Sequence, residues 1–394
     1  MKYIVTLILF FSIPVFSQSL PVIAPEDAGF DAQRLQRVDK VIHTSIDNKE
    51  TPGAVLFVVR DTAIVYQKAY GLRQLEPEEV RMDLSTVFDL ASLTKPVATA
   101  TAIFILVEQG EIRLLDPVSR YIPDFNAWID PDNDTEREIR IIHLLTHTSG
   151  LPSYPPVEQL VEDHGSPALD AVVDYFSHLE RSVKPGTSFT YSCPNYVTLQ
   201  QIIEQVSGKT LAEFSRQNIF TPLGMKNTTY NPSDAMSDRI APTTFEDDVL
   251  LTGVVHDPFA RKLMGGISGN AGLFSTGNDL ALFTAMLLNN GTLNGKRILS
   301  PLSVSTLTTI PKEYESFGRS PGWDLHSPFA SNQGDLFGDQ TYGHTGYTGT
   351  SIVIDPATRT AVILLTNRVH PDDSTSVVRL RSLVANVVAG ALVE

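Results

Sequence analysis

The sequence predicts an α+β fold: an antiparallel sheet flanked by helices, with an all-α domain inserted into it. Three observations lead there. β-type runs occur at residues 54–59 and 63–70, and again at 347–354 and 360–365. The long stretch between them is helical and loop-rich. Both ends carry a helix-period apolar stripe. Strands at the two ends of a chain with helices between them fit one sheet built from both termini. The sheet subdomain is expected at about residues 30–71 and 316–394, and the helical one at about 72–315.

Residues 31–48 place Leu35, Val38, Val41, Ile42 and Ile46 on one helical stripe. Arg60-Asp61-Thr62 predicts a hairpin between the first two β-type runs. Residues 92–109 predict a helix that stops before Gly110. Pro96 is tolerated only in a first turn, so it fixes the start near Ser92. Residues 169–179, 195–206 and 211–219 predict further helices. Thr276 to Asp279 resembles a capping box for a helix through Leu288. Residues 123–138 and 152–166 are rich in Pro, Asp and Glu and predict loops. Asp355-Pro356-Ala357-Thr358 predicts the turn between the last two β-type runs. Residues 376–392 place Val377, Leu380, Val384, Val387, Val388 and Ala391 on one stripe. Arg379 and Arg381 make that segment a packing helix and not a transmembrane one.

With 394 residues, 42% hydrophobic and 19% charged, the chain has ample material for a large core. Met1-Lys2 leads into an apolar stretch, residues 3–16, too short to span a bilayer comfortably. Val15-Phe16-Ser17 follows the pattern a signal peptidase reads. Residues 1–17 are therefore expected to be a secretory signal cut before Gln18. The mature chain, 18–394, is expected to be periplasmic or secreted with no membrane span. Cleavage removes one lysine and no acid, taking the net charge from −15 to −16. Such a surface argues against nucleic acid and anionic membranes as partners. The single cysteine, Cys193, permits no internal disulfide, so the core must carry the stability.

Three motifs carry chemistry. In Ser92-Leu93-Thr94-Lys95 the serine and lysine, three apart, share one helix face. The free N–H groups of a first turn favour a developing anion at the serine. A lysine can take the serine proton if burial or neighbouring cations lower its pKa. Ser and Lys are common, so the pattern gains weight only from the other two motifs. Tyr191-Ser192-Cys193 sits on a loop before a predicted helix, where a phenol near a lysine can shuttle protons. Taken alone, it reads as a loop tyrosine covering apolar surface. Gly343-His344-Thr345-Gly346 runs toward a strand from Tyr347. Glycines there admit close approach of a substrate, and an edge strand can hold an extended peptide.

In this order, the three motifs resemble the serine β-lactamase and penicillin-binding-protein superfamily, and within it the class C-like serine hydrolases. Pro52-Gly53-Ala54-Val55, the run from His143 to Leu151, and Gly272-Leu273-Phe274-Ser275-Thr276 support the likeness. The resemblance implies a β-lactamase/transpeptidase-like fold with the site between the sheet and the helical domain. It implies Ser92 as acylated nucleophile, Lys95 as base partner and Tyr191 as proton-transfer group. It implies His344 as a further catalytic residue; this histidine stands where true class C β-lactamases have lysine, a form closer to the DD-peptidases and esterases. Backbone N–H groups of Ser92 and Tyr347 would form the oxyanion hole, with Cys193, Thr345 and Gly346 contacting substrate. No cofactor or metal is implied. The family usually has Asn where this chain has Cys193, and a thiol is a poor donor and acceptor. That departure weighs against amide turnover more than against ester hydrolysis.

Other patterns fail on inspection. His143 and His147 have zinc-helix spacing, but Leu144 stands where the catalytic Glu would be. Gly208-Lys209-Thr210 lacks the first glycine of a P-loop, and residues 265–272 lack dinucleotide spacing. No G-x-S-x-G elbow occurs. The expectation is a serine hydrolase acting on a small-molecule or peptide substrate, D-Ala-D-Ala carboxypeptidase-like on a peptidoglycan stem peptide. The alternatives are a small-ester esterase or weak β-lactamase, and a non-catalytic binder of cell-wall peptide or penicillin.

Overall fold

The computed structural model describes residues 19–393. The expected signal segment, residues 1–17, lies outside the described residues. Six antiparallel strands form the main sheet: β1 (Gly53–Arg60), β2 (Ala63–Gln74), β3 (Val80–Arg81), β4 (Tyr342–Thr345), β5 (Ser351–Asp355) and β6 (Thr360–Thr366). Their order is β4-β5-β6-β1-β2-β3. The two ends of the chain meet at β1 and β6, where Phe57 lies opposite Ile363.

Helices α1 (Ala32–Leu35), α2 (Val38–Asp47), α3 (Thr101–Glu108), α4 (Cys193–Ser207), α5 (Gly277–Leu288) and α6 (Val378–Gly390) frame the sheet and the site. Side chains of β1 alternate between two buried faces, as a strand period of two requires. Leu56 and Val58 face α1, α2 and α6, packing with Leu35, Val38, Ile42, Leu380 and Val384. Val55, Phe57 and Val59 face the larger core, with α3, α4 and α5. Burial on both faces explains why β1 reads as an unbroken apolar run. Gly277 opens α5 against this strand; a Cβ there would meet the Phe57 ring at 2.4 Å.

Several elements depart from expectation. The helix expected over 31–48 breaks in two at Gln36 and Arg37, where Arg37 N–H bonds the Arg34 carbonyl and Asp39 N–H that of Gln36, both three residues back. The expected loop at 152–166 contains a helix, Val157–His164, because Val157 and Leu160 bury one face despite the acidic surroundings. The helix expected over 211–219 is α-helical only over Leu211–Ser215 and continues as a π segment, Arg216–Phe220. At α5 half of the capping box forms. Thr276 accepts the Asp279 N–H, but the Asp279 carboxylate turns away to Asn227 N–H and Thr228 Oγ1.

Two corrections bear on the site. Residues 91–108 are not one α-helix. Ala91–Leu93 is a 3-10 turn, Lys95–Ala100 a π segment, and only then does α3 begin. Pro96 contributes no N–H to an α-helical ladder, and its carbonyl accepts the Thr101 hydroxyl at 2.8 Å. Tyr347 is not in a strand. The strand expected from 347 starts at Ser351, and the preceding residues close a turn through Gly346 N–H to Thr350 O at 2.8 Å. No side chain fits at Gly346, where a Cβ would lie 2.4 Å from the Leu90 carbonyl oxygen.

Candidate active site

The turn that presents Ser92 is held from several sides. Ala91, immediately before it, has φ +46, a left-handed conformation costly for a residue with a Cβ. The Asp89 carboxylate accepts the Ala91 N–H at 2.9 Å and the His256 N–H at 2.7 Å. Burial lifts the Asp89 pKa to about 6. From the β4–β5 turn, Thr348 and Thr350 donate hydroxyls to the carbonyls of Asp89 (2.8 Å) and Leu90 (3.0 Å). The nucleophile turn and the Tyr347 turn are thereby stapled side by side. Ser92 sits in a 3-10 turn and not in the first turn of an α-helix, so the macrodipole expected for it is weak.

Lys95 is fully buried. Its Nζ donates to Ser92 Oγ at 3.0 Å and to the Asn270 carbonyl at 2.9 Å, and lies 3.8 Å from Cys193 Sγ. It also sits 5.0 Å from the Tyr191 ring centre and 5.7 Å from that of Tyr196. Burial pulls the amine down, but the neighbouring Cys193 sulfur and Tyr191 oxygen outweigh it and hold Lys95 above the ordinary lysine value. Burial also pushes the Cys193 thiol up. This net upward direction is opposite to the lowering that a lysine acting alone as base would need.

Tyr191 stands between rings and cations. His147 stacks on it at 4.5 Å, Phe329 tilts over it at 4.9 Å, and the Arg319 guanidinium lies 5.3 Å from its centre. The His344 ring lies 6.3 Å away. His344 Nε2 accepts from Arg319 Nη2 at 2.8 Å, and its Nδ1–H donates to the Thr345 carbonyl at 3.0 Å. Burial, then the charges of Arg319 and Lys95, hold this imidazole well below the usual histidine range, so it is neutral. Arg319 and Asp324 form a fully buried ion pair.

Ser92, Tyr191, His344, Thr345, Gly346 and Tyr347 line one cavity of about 300 Å³, with Lys95 and Cys193 buried beneath Ser92. All eight residues singled out in the sequence thus converge on one cleft at the edge strand β4. Asn195, two residues beyond Cys193, is engaged by Ser149 at 2.6 Å and His147 at 3.4 Å. Sequence reasoning missed Arg319, Asp324, Asn270 and Phe329. Arg319 lies in a Gly/Ser/Pro-rich loop with no motif around it, and Asn270 in a glycine run that carries no catalytic pattern.

This constellation has relatives. The Beta-lactamase family profile matches residues 38–386. The chain belongs to the β-lactamase family. As a member of that family it falls in the serine hydrolase superfamily, which also holds the penicillin-binding proteins. A Salmonella typhimurium protein, provisionally named D-alanyl-D-alanine carboxypeptidase, is 33% identical over 93% of this chain and 91% of its own length. Among solved structures, EstCE1, described as a hydrolase with promiscuous acyltransferase activity, superposes with TM-score 0.73 at 24% identity, covering 91% of this chain and 99% of that one. A penicillin-binding protein homologue from Caulobacter crescentus superposes with TM-score 0.71 at 18% identity, over 92% and 99%. These likenesses establish the β-lactamase/transpeptidase-like α+β fold.

Proposed function

We propose that this β-lactamase-family member is an exported serine hydrolase that cleaves D-alanyl peptides of the cell-wall type through an acyl-enzyme on Ser92. The observation that carries the reading is the 3.0 Å contact between Lys95 Nζ and Ser92 Oγ at the floor of the Tyr191–His344 cavity. The carboxypeptidase name of the Salmonella relative supports the substrate class.

Ser92 Oγ attacks the carbonyl carbon, and backbone N–H groups of Ser92 and Tyr347 receive the oxyanion. Lys95 and Tyr191 act as a coupled pair that shares one proton fewer than ammonium plus phenol before attack; it takes the Ser92 proton and returns it to the departing amine through Tyr191. Water then attacks the acyl ester; its proton passes through the same pair back to Ser92 Oγ as the acid leaves. The Gly343 N–H and C=O already pair with Asp324 on the outer edge of β4, both at 2.9 Å. Two residues on, Thr345 faces the same way and is the position for an extended substrate.

Two observations favour esters as a second class. Cys193 stands beside Lys95 where a carboxamide would grip a substrate amide, and Phe329 (43% exposed) and Tyr347 (59% exposed) make the rim aromatic. The test is direct. The mature protein is incubated with a peptide ending in D-Ala-D-Ala, with p-nitrophenyl acetate and with labelled penicillin, alongside Ser92→Ala. Free D-alanine and an adduct mass that vanish in the variant support the proposal. Ester turnover alone moves the substrate class to esters. No adduct and no turnover would leave a binder and overturn the reading.

A further inference from the structure

We propose that His147 is a positioning residue that holds Tyr191 for proton transfer. Its own carbonyl accepts the Thr190 N–H at 3.0 Å, and its Nδ1 accepts the Ser192 N–H at 3.0 Å. The residues on both sides of Tyr191 are thus tied to a single residue. The same imidazole stacks on the Tyr191 ring, centroids 4.5 Å apart and planes 26° from parallel. With Phe329 tilted over the ring at 4.9 Å, the phenol has little freedom to turn.

Two further observations set His147 apart from an ordinary packing residue. Its φ is +57, a left-handed backbone that a side-chain-bearing residue keeps only where its surroundings over-determine it. It is also fully buried, yet among the described residues its Nε2 has no hydrogen-bond partner. Because Nδ1 accepts, the proton sits on Nε2. Burial, then the Arg319 and Lys95 charges, keep the ring neutral, so Nδ1 remains an acceptor. A buried donor left without a partner is an arrangement that stability alone disfavours. The sequence presented this residue as half of a failed zinc pair; the fold gives it a different task.

The inference rests on Tyr191 carrying the proton, and the experiment separates the two. His147→Phe keeps a ring but removes the acceptor. His147→Asn tolerates the left-handed backbone but removes the ring. Each is made alone and with Tyr191→Phe. Turnover is measured on p-nitrophenyl acetate and on phenyl acetate, whose poorer leaving group depends more on a proton donor. Each single His147 variant should lower kcat about tenfold or more, leave KM within about threefold, and lose more on phenyl acetate. In the Tyr191→Phe background the same changes should cost less than about twofold, because the group they position is gone. Losses that multiply in the double variants, or single variants with wild-type kcat beside an impaired Tyr191→Phe, overturn the positioning role. A fully active Tyr191→Phe removes the proton-transfer reading itself, and this inference with it.

Discussion

Arg319 donates from Nη2 to Nε2 of His344 across 2.8 Å, and this fixes what His344 can be. An imidazole that accepts at Nε2 and donates from Nδ1 to Thr345 has no nitrogen left for a substrate proton. His344 is therefore a neutral strut, and the positive charge at this place in the site belongs to Arg319. His344→Asn should then leave the shape of the pH profile for ester kcat/KM unchanged between about pH 5 and 8, where a free histidine would titrate. A limb near pH 6.5 that disappears in the variant would show that His344 changes charge during turnover.

The Arg319–Asp324 pair behind that strut is buried on both sides. Removing one partner strands the other charge. Asp324→Asn should destabilise the protein by about 3–5 kcal/mol, read from urea unfolding. A change below about 1 kcal/mol would mean water or another group takes over the guanidinium.

Asp89 supplies a pH-dependent term of opposite sign to the usual carboxylate. Its folded pKa, about 6, lies above the unfolded value of 3.8, so the folded protein holds this proton more tightly. Stability from this group is absent above pH 6 and grows as pH falls toward 4. Between about pH 7.5 and 5 the gain is about 1 kcal/mol. Asp257 and Arg261 both face it, and their charges are retained in the comparison variant. Urea unfolding at the two pH values should show this gain in the wild type and lose it in Asp89→Asn. Equal pH slopes in the two proteins would place the Asp89 pKa near that of an exposed carboxylate.

Much of the molecule was readable because the informative patterns were local. β1 and β2 announce themselves by apolar runs joined by a short turn, and Val38 to Ile46 by a helical stripe. The site was readable where three motifs each carry their own residue types: Ser92 with Lys95, Tyr191 with Cys193, His344 with Gly346. What escaped was set by tertiary contact. Tyr347 has a strand former's composition, yet the close approach of Gly346 to Leu90 bends the chain there. The π segment after Ser92 was hidden because Pro96 reads equally well as a first-turn residue of an α-helix. Arg319 reaches the site from a loop whose path depends on the whole fold. The state of Lys95 depends on Cys193 and Tyr191, about a hundred residues away in sequence.

Gly277 tests the packing between α5 and the sheet. Its missing side chain lets the helix start come against Phe57, and a methyl group there would lie 2.4 Å from the ring. Gly277→Ala should cost about 1–3 kcal/mol through overpacking, although alanine is the better helix former. Adding Phe57→Leu should recover part of that loss relative to Phe57→Leu alone. Purely additive effects in urea unfolding would show that the ring is not what the methyl meets.

Cys193 gives the sharpest test of substrate class. It opens α4 with Sγ 3.8 Å from Lys95 Nζ, and as a neutral buried thiol it offers Lys95 only a weak acceptor. A carboxamide at this position would accept from the ammonium through oxygen and keep an N–H donor for a substrate carbonyl. One added hydrogen bond of about 1–1.5 kcal/mol corresponds to about tenfold in rate. Cys193→Asn should therefore raise the ratio of D-alanine release to p-nitrophenyl acetate hydrolysis about tenfold. The gain should fall on the peptide, since p-nitrophenyl acetate has only its scissile carbonyl and offers this donor no second one. An unchanged ratio, with Ser92 still acylated, would mean that the thiol is no handicap and that this chain recognises its peptide through Thr345 and the β4 edge alone.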